Sequence, residues 1–146
     1  AWGDDDIVLG GAGHDGLAGN AGNDLVMGGS GNDTLVGGPG LDILVGGPGN
    51  DGLLGGANLD VAIFAGAFAD HRVITFGGSV STVQDLAGDG GKDTLCATEL
   101  LQFDDGVFDA RNGSFTPDAY ATPAVEVLVT SPGFTTDPEP ILAPVA

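Results

Sequence analysis

The sequence predicts an all-β chain: a parallel β-roll, or β-solenoid, of seven nonapeptide repeats followed by a small β-rich C-terminal cap. Three observations predict it. Residues 28–54 read GGSGNDTLV, GGPGLDILV and GGPGNDGLL, three consecutive nine-residue units without insertion, and the same register runs outward from Ala1 to Ile63. The chain is acidic almost wholly through aspartate: of 21 acids only Glu99, Glu126 and Glu139 are glutamates, against 3 Lys+Arg, for a formal charge of −18. Six of the 7 phenylalanines fall between residues 64 and 116, and none in the array.

The units are AWGDDDIVL, GGAGHDGLA, GNAGNDLVM, GGSGNDTLV, GGPGLDILV, GGPGNDGLL and GGANLDVAI. Position six is aspartate in all seven, and position eight is Val8, Leu17, Val26, Leu35, Leu44, Leu53 or Ala62. A fixed short period of this kind specifies a stacked architecture. Six Gly-rich residues make a tight turn, because glycine takes left-handed backbone angles freely. The three that follow form a short strand, alternating about one inward aliphatic. Two turn-strand units close one coil, so units of the same parity stack at about 4.8 Å. The aspartates then line the two turn edges, where bare carboxylates repel. Ca²⁺ suits such a gap, since it takes six to eight oxygens, carboxylate and carbonyl together, in flexible geometry.

The array resembles the RTX, or haemolysin-type, calcium-binding nonapeptide GGxGxDxUx. The resemblance implies Ca²⁺ held between same-edge turns by position-six aspartates and glycine-turn carbonyls. Carried over, the pairs are Asp6/Asp24, Asp24/Asp42 and Asp42/Asp60 on one edge, with Asp15/Asp33 and Asp33/Asp51 on the other. That is up to five inter-turn sites, with carbonyls from Gly11, Gly13, Gly22, Gly29, Gly31, Gly38, Gly40, Gly47 and Gly49. Unit one departs from the pattern at Ala1, Trp2 and Asp4, and unit seven at Asn58, so the inner pairs match it most fully.

Positions seven and nine point outward and differ by parity. Odd units offer Ile7/Leu9, Leu25/Met27, Ile43/Val45 and Val61/Ile63, whereas even units offer Gly16/Ala18, Thr34/Val36 and Gly52/Leu54. One outer face is therefore apolar, of a size that marks an interaction site. It is expected to be covered by residues 64–130 or by a protein partner.

Beyond Ile63 the period stops. VAIFAG, HRVITF and SVSTVQD read as strands separated by turns. GDGGKDTLC (Gly88–Cys96) returns to the template as one more calcium turn, with Asp93 at position six and Asp85 and Asp89 nearby; an ordinary Asp-Gly surface loop is the alternative. ELLQFDDGVFD follows, a hairpin about Asp104-Asp105-Gly106. The whole segment resembles the one that follows RTX arrays in secreted proteobacterial proteins, with Thr98 in place of an aliphatic before Glu99. It reads as a cap over the last coil, with Phe64, Phe68, Phe76, Phe103, Phe108 and Phe115 as its apolar mass. His71 and Arg72 read as a polar strand edge. In the tail, residues 117–146, prolines crowd together and only AVEVLVT reads as a strand. It is compatible with a linker or, by the resemblance, with an uncleaved signal for the type I secretion machinery.

Several functions are excluded or disfavoured. Three basic residues cannot neutralise a phosphate backbone, and anionic membranes are poor partners for the same reason. No apolar run reaches the length of a membrane span. Cys96, the single cysteine, leaves no intrachain disulfide and reads as a small strand residue. GAGHDG and GPGNDG satisfy G-x-G-x-x-G, but neither opens a helix as a dinucleotide site requires. Asn32 and Asn112 begin glycosylation sequons of low information. His14 sits at the exposed fifth turn position without a metal-binding neighbour. No nucleophile–base pair, HExxH or P-loop occurs, so the chain reads as non-catalytic. Its only methionine is Met27, which suggests part of a longer protein with an upstream domain. The expected role is a calcium-folded module of a secreted, extracellular or cell-surface protein. Two alternatives stand beside it. One is a surface-layer or adhesive component assembling through the apolar face; the other is the C-terminal part of a secreted protease, lipase, epimerase or peroxidase.

Overall fold

The computed structural model describes residues 3–76 and 80–118, without the side chains of Val80 and Ser81. The strand expected over 124–130 and the Pro-rich tail beyond Asp118 lie outside them. The described residues up to Thr116 form one compact unit.

Each repeat contributes a strand directly after its aspartate: β1 (Ile7–Ala12), β2 (Gly16–Ala18), β3 (Leu25–Ser30), β4 (Thr34–Pro39), β5 (Ile43–Val45), β6 (Gly52–Ala57) and β7 (Val61–Ile63). Strands two units apart pair in parallel, with Leu25 opposite both Ile7 and Ile43, and Thr34 opposite both Gly16 and Gly52. Odd units thus build one sheet and even units the other. Because strand side chains alternate, position eight points between the sheets. Val26, Leu35, Leu44, Leu53 and Ala62 are all buried there, at 1% exposure or less. Val8 and Leu17, in the first coil, are only partly buried.

The coil continues past Ile63. After an excursion over residues 64–87, β10 (Lys92–Cys96) pairs in parallel with β6, placing Leu95 opposite Leu53. β11 (Leu100–Phe103) pairs in parallel with β7, placing Leu101 opposite Ala62. Leu95 and Leu101 extend the buried aliphatic column. Both sheets then switch to antiparallel. β9 (Val80–Asp85) joins β10, and β8 (His71–Phe76) joins β9; β12 (Gly106–Asp109) joins β11. With β13 (Ser114–Pro117), the sheet orders are β1-β3-β5-β7-β11-β12-β13 and β2-β4-β6-β10-β9-β8.

An aromatic cluster consolidates this end. Phe68, on a 3₁₀ turn (Phe68–Asp70), stacks on Phe115 with centroids 4.3 Å apart and on Phe108 at 5.5 Å. It also meets the edge of Phe103 at 5.3 Å, and Phe103 stacks on Phe64 at 5.5 Å. The Asp104-Asp105 turn fastens the incoming chain, accepting the Gly66 and Phe68 N–H groups at 3.0 and 2.8 Å. One residue differs from expectation. Phe76, at the outer end of β8, is 67% exposed and lies outside the cluster. His71 and Arg72 do open the edge strand β8, but the His71 ring also lies 4.9 Å from that of Phe103, and its Nδ1–H donates to Ala67 O at 2.9 Å.

On the outer face of the odd sheet, Ile7 and Leu9 are well exposed, while Met27, Ile43 and Ile63 retain 38–39% exposure. Leu25, Val45 and Val61 are half-buried. Cys96 is free and exposed at the end of β10.

Candidate metal centres along the turn edges

Stacking in register brings the position-six aspartates of each edge into a ladder. The backbone N–H of one aspartate donates to Oδ1 of the aspartate one coil further on. Asp6 donates to Asp24 at 2.8 Å, Asp24 to Asp42 at 2.9 Å and Asp42 to Asp60 at 2.9 Å. On the other edge Asp15 donates to Asp33 at 2.8 Å, Asp33 to Asp51 at 2.8 Å and Asp51 to Asp93 at 2.7 Å. All five expected pairs are therefore adjacent, and Asp93 takes the next rung. Asp24, Asp33, Asp42, Asp51, Asp60 and Asp93 are all buried.

The second carboxylate oxygen tells more. Oδ2 of Asp15, Asp24, Asp33, Asp42, Asp51 and Asp60 is buried and has no hydrogen-bond partner among the described residues. A buried polar oxygen without a donor is costly, and an ionised one more so. Burial, opposed by the backbone hydrogen bond and reinforced by the charge of the preceding rung, pushes Asp42 and Asp51 above the usual carboxylate range. The same causes, with Glu99 added, raise Asp60 to about 6. Asp93 rises to about 7 through burial, against its hydrogen bond from Asp51 and with the charges of Asp51 and Asp85 beside it.

Backbone carbonyls border the same spaces as these oxygens. The space that a Cβ on Gly28 would fill is bounded by Asp33 Oδ2 at 2.5 Å and by Gly46 O at 2.8 Å. In front of Gly10 the pair is Gly28 O at 2.5 Å and Asp15 Oδ2 at 2.9 Å; in front of Gly37 it is Asp42 Oδ2 and Gly55 O. Among the described residues no three His, Cys, Asp or Glu side chains gather as a metal cluster. The carboxylates come in pairs, and the remaining oxygens are peptide carbonyls. An all-oxygen set with unpaired carboxylate lone pairs fits a hard cation such as Ca²⁺.

The glycines expected at the sites, Gly11, Gly13, Gly22, Gly29, Gly31, Gly38, Gly40, Gly47 and Gly49, all adopt positive φ. Gly31 illustrates why no other residue serves. Its φ is +129°, and a Cβ there would overlap Gly13 O on the neighbouring coil. The carbonyls that bound the spaces in front of Gly10, Gly28 and Gly37 belong to position one: Gly28, Gly46 and Gly55. Sequence reasoning missed these, although glycine at position one in six of seven units signalled them.

A second ladder runs along position five in the opposite sense, its acceptor on the earlier coil. Asn23 N–H donates to Asp5 Oδ1 at 2.7 Å, Leu41 to Asn23 Oδ1 at 2.9 Å and Asn50 to Asn32 Oδ1 at 2.9 Å. His14 belongs to it, its Nδ1 accepting Asn32 N–H at 2.8 Å.

Asp85 and Asp89 are placed differently from Asp93. Asp85 is engaged by backbone: Oδ1 accepts from Ala87 and Gly88 at 2.9 Å each, and Oδ2 from Gly90 at 3.0 Å. These donors hold its carboxyl below the usual range. Asp89 is exposed. Both border a cavity of about 320 Å³, with Asp93, Asp104, His71 and Phe64, between the turn of unit six and the excursion.

Residues 1–17, 18–53 and 27–61 match the RTX calcium-binding nonapeptide repeat family, in four copies. The matches lie within the first 61 of the chain's 146 residues. The RTX roll is a structural calcium-binding module rather than a catalytic one. No curated protein matches the chain. Among solved structures, it is similar to extracellular lipase LipA from Serratia marcescens, at 22% identity and a TM-score of 0.55. The match covers 66% of this chain and 17% of the lipase, so the chain spans about a sixth of that enzyme, and the likeness is one of fold. Among the described residues no helix is long and apolar enough to cross a membrane.

Proposed function

We propose that this RTX chain is a calcium-gated folding module of a larger secreted protein. Its parts are a roll over residues 1–63, a β-rich cap over 64–116, and a tail over 117–146 that serves type I secretion or links to a further domain. The observation that carries the reading is the row of buried aspartate Oδ2 atoms lacking a donor among the described residues. Calcium, when bound, supplies the positive charge that those oxygens lack. The chain's own residues do the rest: Oδ1 fixes each carboxylate to the neighbouring coil, and glycine turns bring carbonyls close enough to share the ion. The ligands are the five aspartate pairs, with Asp93 adding one more turn beside Asp85 and Asp89.

At low calcium the unneutralised rows oppose ordering of a Gly-rich chain, which is costly to fix. Outside the cell, sites of order 10⁻⁴–10⁻³ M fill at millimolar calcium, and binding drives folding. Circular dichroism followed through a calcium titration tests this. Cooperative gain of β-structure at millimolar calcium is expected; complete β-structure in excess chelator refutes it. The parent's chemistry then resides upstream of the roll.

Exposure of Ile7 and Leu9 on the odd face favours a second reading, assembly of a surface layer through that face. A calcium-dependent shift from monomer to oligomer in sedimentation separates it from the first.

A further inference from the structure

The aspartate ladder has a rung outside the nine-residue pattern. On the odd edge, the place beyond Asp60 is taken by Glu99, whose Oε2 accepts the Asp60 N–H at 2.9 Å. This is the bond that Asp60 Oδ1 makes to Asp42 N–H, also at 2.9 Å. Ala97 stands in for the position-one glycine of the coil. Its backbone differs from theirs, with a φ of +49° where no position-one glycine has positive φ, but its carbonyl accepts Gly56 N–H at 3.0 Å, as Gly46 O accepts Gly29 N–H at 3.0 Å. The space that a Cβ on Gly55 would fill is bounded by Ala97 O and by Asp60 Oδ2 at 2.6 Å, the carbonyl-plus-carboxylate arrangement found in front of Gly28. Asp60 is fully buried, and its Oδ2 has no hydrogen-bond partner among the described residues.

We propose that Asp60, Glu99 and the Ala97 carbonyl form a further calcium site that closes the odd edge and fastens the cap to the roll. It rests on the reading of the inner rungs as calcium sites. The turn here is Ala97-Thr98-Glu99, three residues where each repeat uses six. So short a turn offers fewer carbonyls, and the longer side chain of glutamate reaches the rung where aspartate serves elsewhere. With fewer protein oxygens the ion keeps more water, and this site binds more weakly than the inner ones. It is the last to fill, and filling it docks β11 and β12.

Glu99→Gln keeps an acceptor for the Asp60 N–H and removes the charge. Calorimetric titration of the full chain with calcium chloride should give one ion fewer per chain than wild type, with the tighter sites unchanged. Asp33→Asn, on the other edge, is the companion variant and should lose inner sites. Loss in Asp33→Asn with unchanged stoichiometry in Glu99→Gln refutes the end site alone. Unchanged stoichiometry in both refutes the reading of the rungs altogether. If Glu99→Gln does not fold, anomalous diffraction from calcium-loaded wild-type crystals decides. A peak between Asp60 and Glu99 supports the site; peaks at the inner rungs without one there overturn it.

Discussion

Replacing Asp42 by asparagine should change the stability of this protein in opposite directions with and without calcium. Asp42 is 1% exposed; its Oδ1 accepts the Asp24 N–H at 2.9 Å, and its Oδ2 has no donor among the described residues. Asparagine keeps the first bond. Its NH₂ replaces the orphaned oxygen beside a space also bounded by Gly55 O, putting a donor where an unpartnered acceptor stood. Relieving a buried unsatisfied group is worth about 1–3 kcal/mol, and in chelator Asp42→Asn should be more stable by that amount. With calcium the sign reverses, because Asp42 belongs to two pairs, Asp24/Asp42 and Asp42/Asp60. At about 10 mM calcium and dissociation constants of order 10⁻⁴–10⁻³ M, each site contributes roughly 1.4–2.7 kcal/mol. Two lost sites therefore remove about 3–5 kcal/mol, more than the substitution gains. The assay is circular dichroism against urea in calcium, and against trimethylamine oxide in chelator, where an osmolyte is needed to populate the fold. The stability curves of variant and wild type should cross as calcium rises. A variant destabilised equally in both conditions would refute the argument, since the oxygen would then have a partner within the protein.

Three further outcomes are expected. In saturating calcium, Gly31→Ala should lower stability by more than about 2 kcal/mol, because positive φ and overlap with Gly13 O combine. Gly16→Ala, with nothing within 4 Å of the new Cβ, should stay within about 0.5 kcal/mol; thermal melts compare them. Leu44→Ala, at 0% exposure in the middle of the aliphatic column, should cost about 2–5 kcal/mol by urea denaturation. Finally, Asp60 and Asp93 are raised from 3.8 to about 6 and about 7 in the folded chain, so the folded state holds protons that the unfolded state has released. The calcium-free fold should therefore lose stability as pH rises from 4 through about 6–7, and calcium binding near pH 6 should release protons measurable by potentiometry.

The inner rungs and the core column were legible because both are side-chain properties repeated at one spacing. Asp33, Asp42 and Asp51, with Leu35, Leu44 and Leu53, need only a period of nine to be placed. Asp93 was legible for the same reason, since GDGGKDTLC keeps the template. Glu99 was not: its turn is three residues short and its acid is of the other type, so the register cannot be counted through. The carbonyls of Gly46 and Gly55 escaped because the direction of a peptide oxygen is fixed by stacking, not by the residue that carries it. The docking of β9 on β10 joins segments by pairing whose partner no local pattern names. His71 looked like a strand-edge residue by sequence, and only the convergence of Phe64 and Phe103 makes it part of an aromatic cluster.

The antiparallel strands β9 and β12 give the molecule a direction of growth. A parallel roll lengthens by templating: each finished coil offers its strand edges and its unpaired carboxylates to the next. Along the repeats this holds from β1 to β7, each strand lying parallel to the one two units on. At the cap end, reversed strands lie against β10 and β11, and a coil added there would find neither register nor rungs to match. Head-to-tail stacking, the arrangement that yields open filaments, therefore lacks one of its two surfaces.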